Sequence, residues 1–185
     1  MKKLLFGQNG QSLIEVLVGL STAVLIIGAI TAATITALSN SVYSKNQNLA
    51  TEYGQQGLEI VRSLRDRNYT LFSQLGQQNT TYCLAKTCNK IDPTSSNPTD
   101  PCGPKSTQCS QNIGGQNADI FVREISVDPS SPYCQETQSG NTTQGVYVTT
   151  TVSWYDAKCS NASSLFCHNV KLSTCISTYN AVSSQ

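Results

Sequence analysis

Eight cysteines and one histidine are the side chains in this 185-residue chain best suited to cross-linking or metal binding. All eight cysteines lie between Cys83 and Cys175, in a segment rich in Ser, Thr, Asn and Gln. An even number of cysteines in a polar, loop-rich segment is typical of a disulfide framework made in an oxidising compartment. Zinc sites usually contain closer pairs such as C-x-x-C, whereas the closest pair here, Cys83 and Cys88, has four intervening residues. The spacing therefore favours disulfides and predicts no metal site.

The expected disulfides close short loops wherever the chain allows it. A local scheme contains four bridges, namely Cys83–Cys88, Cys102–Cys109, Cys159–Cys167 and, by remainder, Cys134–Cys175. Eight cysteines permit about a hundred different pairings, so other connectivities stay open at this stage.

Residues for catalysis are sparse. A nucleophile–base pair would have to use His168, because the chain has no second histidine, and no G-x-S-x-G motif is present. His168 is therefore predicted to be an ordinary surface residue, and the chain is predicted to be neither an enzyme nor a cofactor-binding protein. The net charge is +1 and the basic residues are scattered, which gives no reason to expect nucleic-acid binding.

One carboxylate stands in an otherwise apolar segment near the start of the chain. Glu15 is the single charged side chain between Lys3 and Lys45, and it follows Gly10 by five positions. A carboxylate at the centre of a membrane helix costs about 2.5–3.5 kcal/mol, and such residues usually have a functional partner. If a protease cut after Gly10, the new α-amino group of Gln11 would supply a cation close to the depth of Glu15. We expect the two groups to pair between neighbouring subunits of a fibre, because within one helix they are poorly placed to neutralise each other fully.

The segment that carries Glu15 is predicted to begin one long helix. Residues 13–33 have about the length that crosses a hydrocarbon core as a helix. Beyond Lys45 apolar residues recur at helical spacing, and the first proline is Pro93, so the helix can continue to Arg67. The face of this second half that we expect to be covered consists of Leu49, Tyr53, Ile60 and Leu64.

Three strand-like runs follow a loop-rich stretch, at 118–128, 145–156 and 168–178. They alternate or are rich in β-branched residues, which predicts an antiparallel meander with one apolar face. The side chains expected to cover the helix are Val146, Val148, Val152 and Trp154, and on the last run Val170, Leu172 and Ile176 share one face. The predicted fold class is α+β, a long N-terminal helix packed on an antiparallel sheet with disulfide-linked loops.

This arrangement resembles the type IV pilin superfamily, which includes pilins, minor pilins and the pseudopilins of type II secretion systems. The resemblance lies in the basic leader with Lys2 and Lys3, Gly10 at the cleavage point, and the QSLIEVLVGL stretch with Glu15. Residues 57–69 look like the later part of the pilin helix, and the strand-like runs resemble the C-terminal sheet.

The resemblance implies a leader at 1–10 removed by a prepilin peptidase, cleavage between Gly10 and Gln11, and N-methylation of the new terminus. It implies a helix at 11–67, with 12–33 in the membrane or the filament core, and a cysteine-rich head at 68–185. The expected partners are further subunits or other pilins of the filament, a membrane platform protein and an assembly ATPase. The prepilin would cross the cytoplasmic membrane once with its head outside, and then enter an extracellular pilus or a cell-envelope pseudopilus.

A second function remains open from the residues alone. A membrane-anchored or secreted disulfide-rich domain could bind or adhere without polymerising, with the N-terminal helix acting only as an anchor. A helix that serves only as an anchor requires neither Glu15 nor a cleavage site at Gly10. The presence of both favours the structural subunit of a filament.

Overall fold

The computed structural model describes residues 11–75, 80–85, 88, 90–96, 100–105, 109, 112–113, 120–138, 141–156, 159 and 167–177. The chain divides into two compact units, Met1–Lys45 and Asn46–Gln185. Helix α1 runs from Gln11 to Arg67, as the apolar and then amphipathic pattern predicts. The α+β class is confirmed.

Helix α1 ends where a second, short helix begins. The backbone N–H of Asn68 still donates to the Leu64 carbonyl at 2.8 Å, and helix α2 then spans Tyr69–Leu75. The Asn68 side chain accepts a hydrogen bond from the Leu71 N–H at 3.1 Å, which is the contact of an N-cap residue. Phe72 and Leu75 of α2 are fully buried, so this turn of chain brings apolar residues back into the core.

Six strands among the described residues form the antiparallel sheet of the second unit: β1 Thr80–Cys83, β2 Asn112–Ile113, β3 Phe121–Asp128, β4 Gln135–Gln138, β5 Asn141–Trp154 and β6 His168–Ser177. Strand β3 pairs with β1, β2 and β5, and β5 pairs with β4 and β6. A short 3-10 helix, Pro132–Cys134, precedes β4. The predicted meander of three runs is confirmed as β3, β5 and β6; β1, β2 and β4 are short strands that the sequence pattern did not indicate.

The second half of α1 packs on the apolar face of this sheet. All four β5 residues predicted to cover the helix, Val146, Val148, Val152 and Trp154, are buried. The predicted helix face is only partly right: Leu64 is buried, whereas Leu49, Tyr53 and Ile60 are half-buried at the flanks. The residues buried on the helix are Asn46, Ala50, Gly54, Gly57, Leu58, Val61 and Leu64. Three of these seven residues, Ala50, Gly54 and Gly57, are small, and at the two glycines the sheet approaches the helix closely.

Gly54 and Gly57 show how close that approach is. A Cβ added at Gly57 would stand 2.9 Å from Thr150 Cγ2 and 3.1 Å from Arg123 Cδ. A Cβ added at Gly54 would stand 2.8 Å from Leu172 Cδ1, the end of a flexible side chain that is only half-buried. The two glycines therefore lie in the same contact but against neighbours of different stiffness.

We expect Gly57→Ala to destabilise the second unit by about 1 kcal/mol, because the β-branched, buried Thr150 cannot move aside. Gly54→Ala should be close to neutral, since Leu172 can rotate and alanine gains about 0.5–1 kcal/mol over glycine in a helix. Urea unfolding followed by the fluorescence of Trp154, the one tryptophan, measures both. Equal midpoints for the two variants would contradict this account of the contact.

Among the described residues, one charged side chain is buried in the contact between helix and sheet. Arg123 on β3 is 3% exposed, and its Nη1 donates to the Tyr53 carbonyl of α1 at 2.9 Å. Its Nε donates to the Leu84 carbonyl at 3.2 Å, and the Leu84 N–H donates back to the Arg123 carbonyl. Burial lowers the pKa of Arg123 to about 10, so the guanidinium remains charged at neutral pH. Arg123 thus joins helix α1, strand β3 and the segment after β1.

Candidate functional site

The apolar half of α1 exposes its side chains. In the first unit the large hydrophobic residues from Leu13 to Val42 are 54–72% exposed. One helix among the described residues, Leu13–Arg67, contains a stretch long and apolar enough to cross a membrane. So much exposed apolar surface on one helix calls for lipid or for other apolar protein surfaces around it.

Hydroxyl groups in this half form hydrogen bonds to backbone carbonyls of the same helix. The hydroxyls of Thr31, Thr34 and Thr36 donate to the carbonyls four residues earlier, at 2.8–3.0 Å. Ser21 and Thr22 donate to carbonyls three residues earlier, each at 2.9 Å. A hydroxyl bonded in this way needs no water, so these residues are compatible with an apolar environment.

Glu15 is the exception in this apolar surface. It lies in the second turn of α1 and is exposed, with the apolar residues Leu13, Ile14 and Val16 beside it in the sequence. Gln11 is the first residue of α1, four positions earlier, which places the two backbones on the same helix face about 6 Å apart along the axis. Gly10 lies outside the described residues, as does the whole predicted leader.

The disulfides form a different network from the local scheme. The structure joins Cys83 to Cys109 and Cys88 to Cys102, so the predicted bridges Cys83–Cys88 and Cys102–Cys109 are wrong. The other two predicted bridges, Cys134–Cys175 and Cys159–Cys167, occur in the structure.

The path of the chain after β1 explains why Cys83 and Cys88 do not pair with each other. Residues 81–85 run extended beside 101–105: the Lys105 N–H donates to the Thr81 carbonyl at 2.7 Å, and the Cys83 N–H to the Gly103 carbonyl at 3.1 Å. The Ala85 N–H continues the pattern with the Pro101 carbonyl. In two antiparallel segments, cross-links between them nest, one inside the other.

The Cys134–Cys175 bridge crosses the outer side of the sheet. Cys175 lies on the exposed side of β6, whereas Ile176, the next residue, is buried. Cys134 ends the 3-10 helix before β4, so the bridge attaches that helix and the loop before it to β6. This outward direction of Cys175 follows from the alternation of side chains along β6.

A second group of side chains that could bind a ligand or take part in a reaction lies where β5 ends and β6 begins. His168 Nε2 is 3.1 Å from Asp156 Oδ1, and their side chains are only 22% and 12% exposed. The Cys159–Cys167 disulfide lies beside them, and the donor atoms of all four residues are within 4.8 Å of one another. His168 is therefore not the ordinary surface residue that the sequence predicted. The signal in the sequence was D-x-x-C before the loop and C-H after it.

No protein-family model matches this chain, and no curated protein and no solved structure matches it at a significant level. The long apolar helix, the antiparallel sheet on its second half and the disulfides together make a pilin-like layout. A function must therefore be argued from these residues and their geometry.

Proposed function

We propose that this chain is a structural subunit of a type IV pilus-like or type II secretion-like filament, as a pilin, minor pilin or pseudopilin. The observation that carries the proposal is Glu15, an exposed carboxylate in the second turn of a long helix whose first half exposes large apolar side chains. In a lipid bilayer this residue is costly. In a filament it has a partner, the amino group at Gln11 of a neighbouring subunit.

The arrangement of the two halves of α1 supports a subunit that polymerises through its first half. The second half is already covered by the sheet, with Val61 and Leu64 buried in the same core as Val146 and Val148. The first half has no such cover, as its large apolar residues are more than half exposed. In the proposed filament the apolar halves of neighbouring subunits cover one another after leaving the membrane.

The cysteine-rich unit supports a head that folds outside the cytoplasm. Disulfides join four pairs of cysteines, and all four pairs lie after α1. Such bridges form in oxidising compartments and add stability to a small core. In the proposed pathway the prepilin spans the cytoplasmic membrane with its head outside, and a peptidase cuts after Gly10. A platform protein and an ATPase then move the subunit into the filament.

The proposed role is structural and involves no catalysis. A disulfide-rich binding or adhesion domain on a membrane anchor would share the helix and the bridges, yet it would need neither Glu15 nor cleavage after Gly10. The N-terminus of the mature chain therefore separates the two functions.

We expect the mature protein, purified from cells that hold a prepilin peptidase, to begin at Gln11 by N-terminal sequencing and intact mass. Gly10→Val should block the cleavage, because this peptidase class acts after a small residue. Gly7→Val, a matched change three residues earlier in the leader, should leave cleavage intact. An uncleaved wild-type chain, or one cut beyond Ala33 as by signal peptidase, would exclude the filament function.

A further inference from the structure

Four residues at the junction of β5 and β6 bring possible metal-ligand atoms, namely oxygen, nitrogen and sulfur, close together. Asp156 contributes a carboxylate oxygen, His168 a ring nitrogen, and Cys159 and Cys167 their sulfur atoms, all within 4.8 Å of one another. Among the described residues, no other disulfide belongs to such a group of donors.

We propose that Asp156, Cys159, Cys167 and His168 bind a divalent transition metal, Zn²⁺ in the first instance, when the Cys159–Cys167 disulfide is reduced. Four ligands from Cys, His and carboxylate are the donor set of tetrahedral zinc sites. Two thiolates and an imidazole select zinc over magnesium or calcium, which prefer oxygen ligands.

The scaffold already holds these ligands close to the required positions. His168 lies directly opposite Trp154 in the β5–β6 ladder, and their rings are 5.4 Å apart. Asp156 follows Trp154 by two residues, and a turn joins it to Cys159: the Cys159 N–H donates to the Asp156 carbonyl at 3.1 Å. The Asp156 N–H points at Cys159 Sγ, 3.5 Å away. Two strand ends and one turn thus position the ligands without the metal.

The distances fit a metal once the sulfur–sulfur bond is broken. With metal–ligand bonds of about 2.0–2.3 Å, tetrahedral ligand atoms stand roughly 3.3–3.8 Å apart. His168 Nε2 and Asp156 Oδ1 are 3.1 Å apart, close to that value. The two sulfur atoms must separate, and reduction of the disulfide permits this.

Metal and disulfide exclude each other at this site. A trialkylphosphine gives two electrons to the sulfur–sulfur bond and becomes its oxide, with the oxygen and two protons coming from water, so that two thiols remain. Each thiol loses its proton to solvent when its sulfur binds the metal. Reoxidation to the disulfide removes both sulfur ligands and releases the ion, so the site responds to redox conditions.

Cobalt titration of the full-length protein in detergent tests this inference. After reduction by a trialkylphosphine without oxygen, the wild type should bind one Co²⁺ per chain, with a thiolate-to-cobalt charge-transfer band and the visible bands of tetrahedral cobalt. The oxidised protein should show neither. A double variant, Cys159→Ser with Cys167→Ser, reduced identically, controls for the six other cysteines and should lose the charge-transfer band.

The histidine and the carboxylate are tested separately. His168→Ala and Asp156→Asn should each weaken cobalt binding by about tenfold or more while keeping the charge-transfer band. Asn169→Ala, an exposed neighbour on β6, should bind as the wild type does. Unchanged affinity in both ligand variants, or equal binding by the reduced wild type and the double serine variant, would overturn the proposal.

A measurement on the wild type alone avoids any folding defect of the variants. Zn²⁺ should slow the alkylation of Cys159 and Cys167 in the reduced protein by about tenfold or more, and should leave the exposed Cys175 unprotected. Peptide mass spectrometry assigns the rates. Equal rates with and without zinc would refute the site whatever the filament function proves to be.

Discussion

Cells that make only the Glu15→Leu chain are expected to cleave, insert and fold it normally and yet to assemble very little filament. The substitution makes the apolar half of α1 uniformly apolar, so residence in the membrane becomes more favourable. In the proposed filament it also leaves the amino group of Gln11 on the neighbouring subunit without a partner. Breaking a buried pair by removing one member is strongly destabilising, because the remaining charge stays uncompensated. The ratio of sheared filament to membrane-bound monomer should fall by roughly tenfold or more.

Two matched variants identify the carboxylate as the cause. Glu15→Asp keeps the charge on a shorter side chain and should give an intermediate yield. Glu52→Leu removes an exposed carboxylate from the second half of the same helix and should assemble as the wild type does. If Glu15→Leu filaments matched the wild type in yield and length, the carboxylate would have no part in assembly, and the plain anchor would be the better description.

Arg123→Ala is expected to cause a large loss of stability in the cysteine-rich unit, about 3–5 kcal/mol in free energy of unfolding. Two effects add: the charged hydrogen bonds to the Tyr53 and Leu84 carbonyls disappear, each worth about 1.5–3 kcal/mol, and a cavity remains beside Gly57. Trp154 is 1% exposed, so its fluorescence reports unfolding of this unit in urea. The midpoint should fall markedly with little change in slope.

Two further variants distinguish the hydrogen bonds of the Arg123 guanidinium from its charge. Arg123→Lys keeps the charge but cannot reach two carbonyls from a planar group, so it should lose most of the same stability. Arg62→Ala removes a guanidinium that is 43% exposed and paired with Glu59, and it should change stability by less than about 1 kcal/mol. A small effect of Arg123→Ala, similar to that of Arg62→Ala, would show that Arg123 does not hold the helix on the sheet.

Local patterns in the sequence determined the elements. An apolar run followed by an amphipathic one, without proline before Pro93, predicted α1 to its last residue, Arg67. β-rich composition predicted β3, and alternating residues predicted β5, β6 and the buried side of β5. These features depend on neighbours three or four positions apart in a helix and two apart in a strand, and such neighbours are visible in the sequence.

The helix face was predicted only in part, because the prediction followed large apolar residues. The sheet comes close to the helix at Gly54 and Gly57, because these residues have no side chain to keep it away. A glycine carries no hydrophobic signal, so periodicity could not identify these positions. Leu49 and Tyr53 are pushed to the flanks as a result.

The partners of the cysteines and of the buried polar groups were decided by the tertiary structure. Cys83 meets Cys109 because β1 and β2 both pair with β3: Cys83 ends β1 opposite Glu124, and β2, which begins three residues after Cys109, pairs with Val122 and Phe121. Arg123 meets Tyr53, and Asp156 meets His168, for the same kind of reason. Short-range propensities form each helix and strand, whereas the register of the sheet and its distance from the helix choose which distant residues touch.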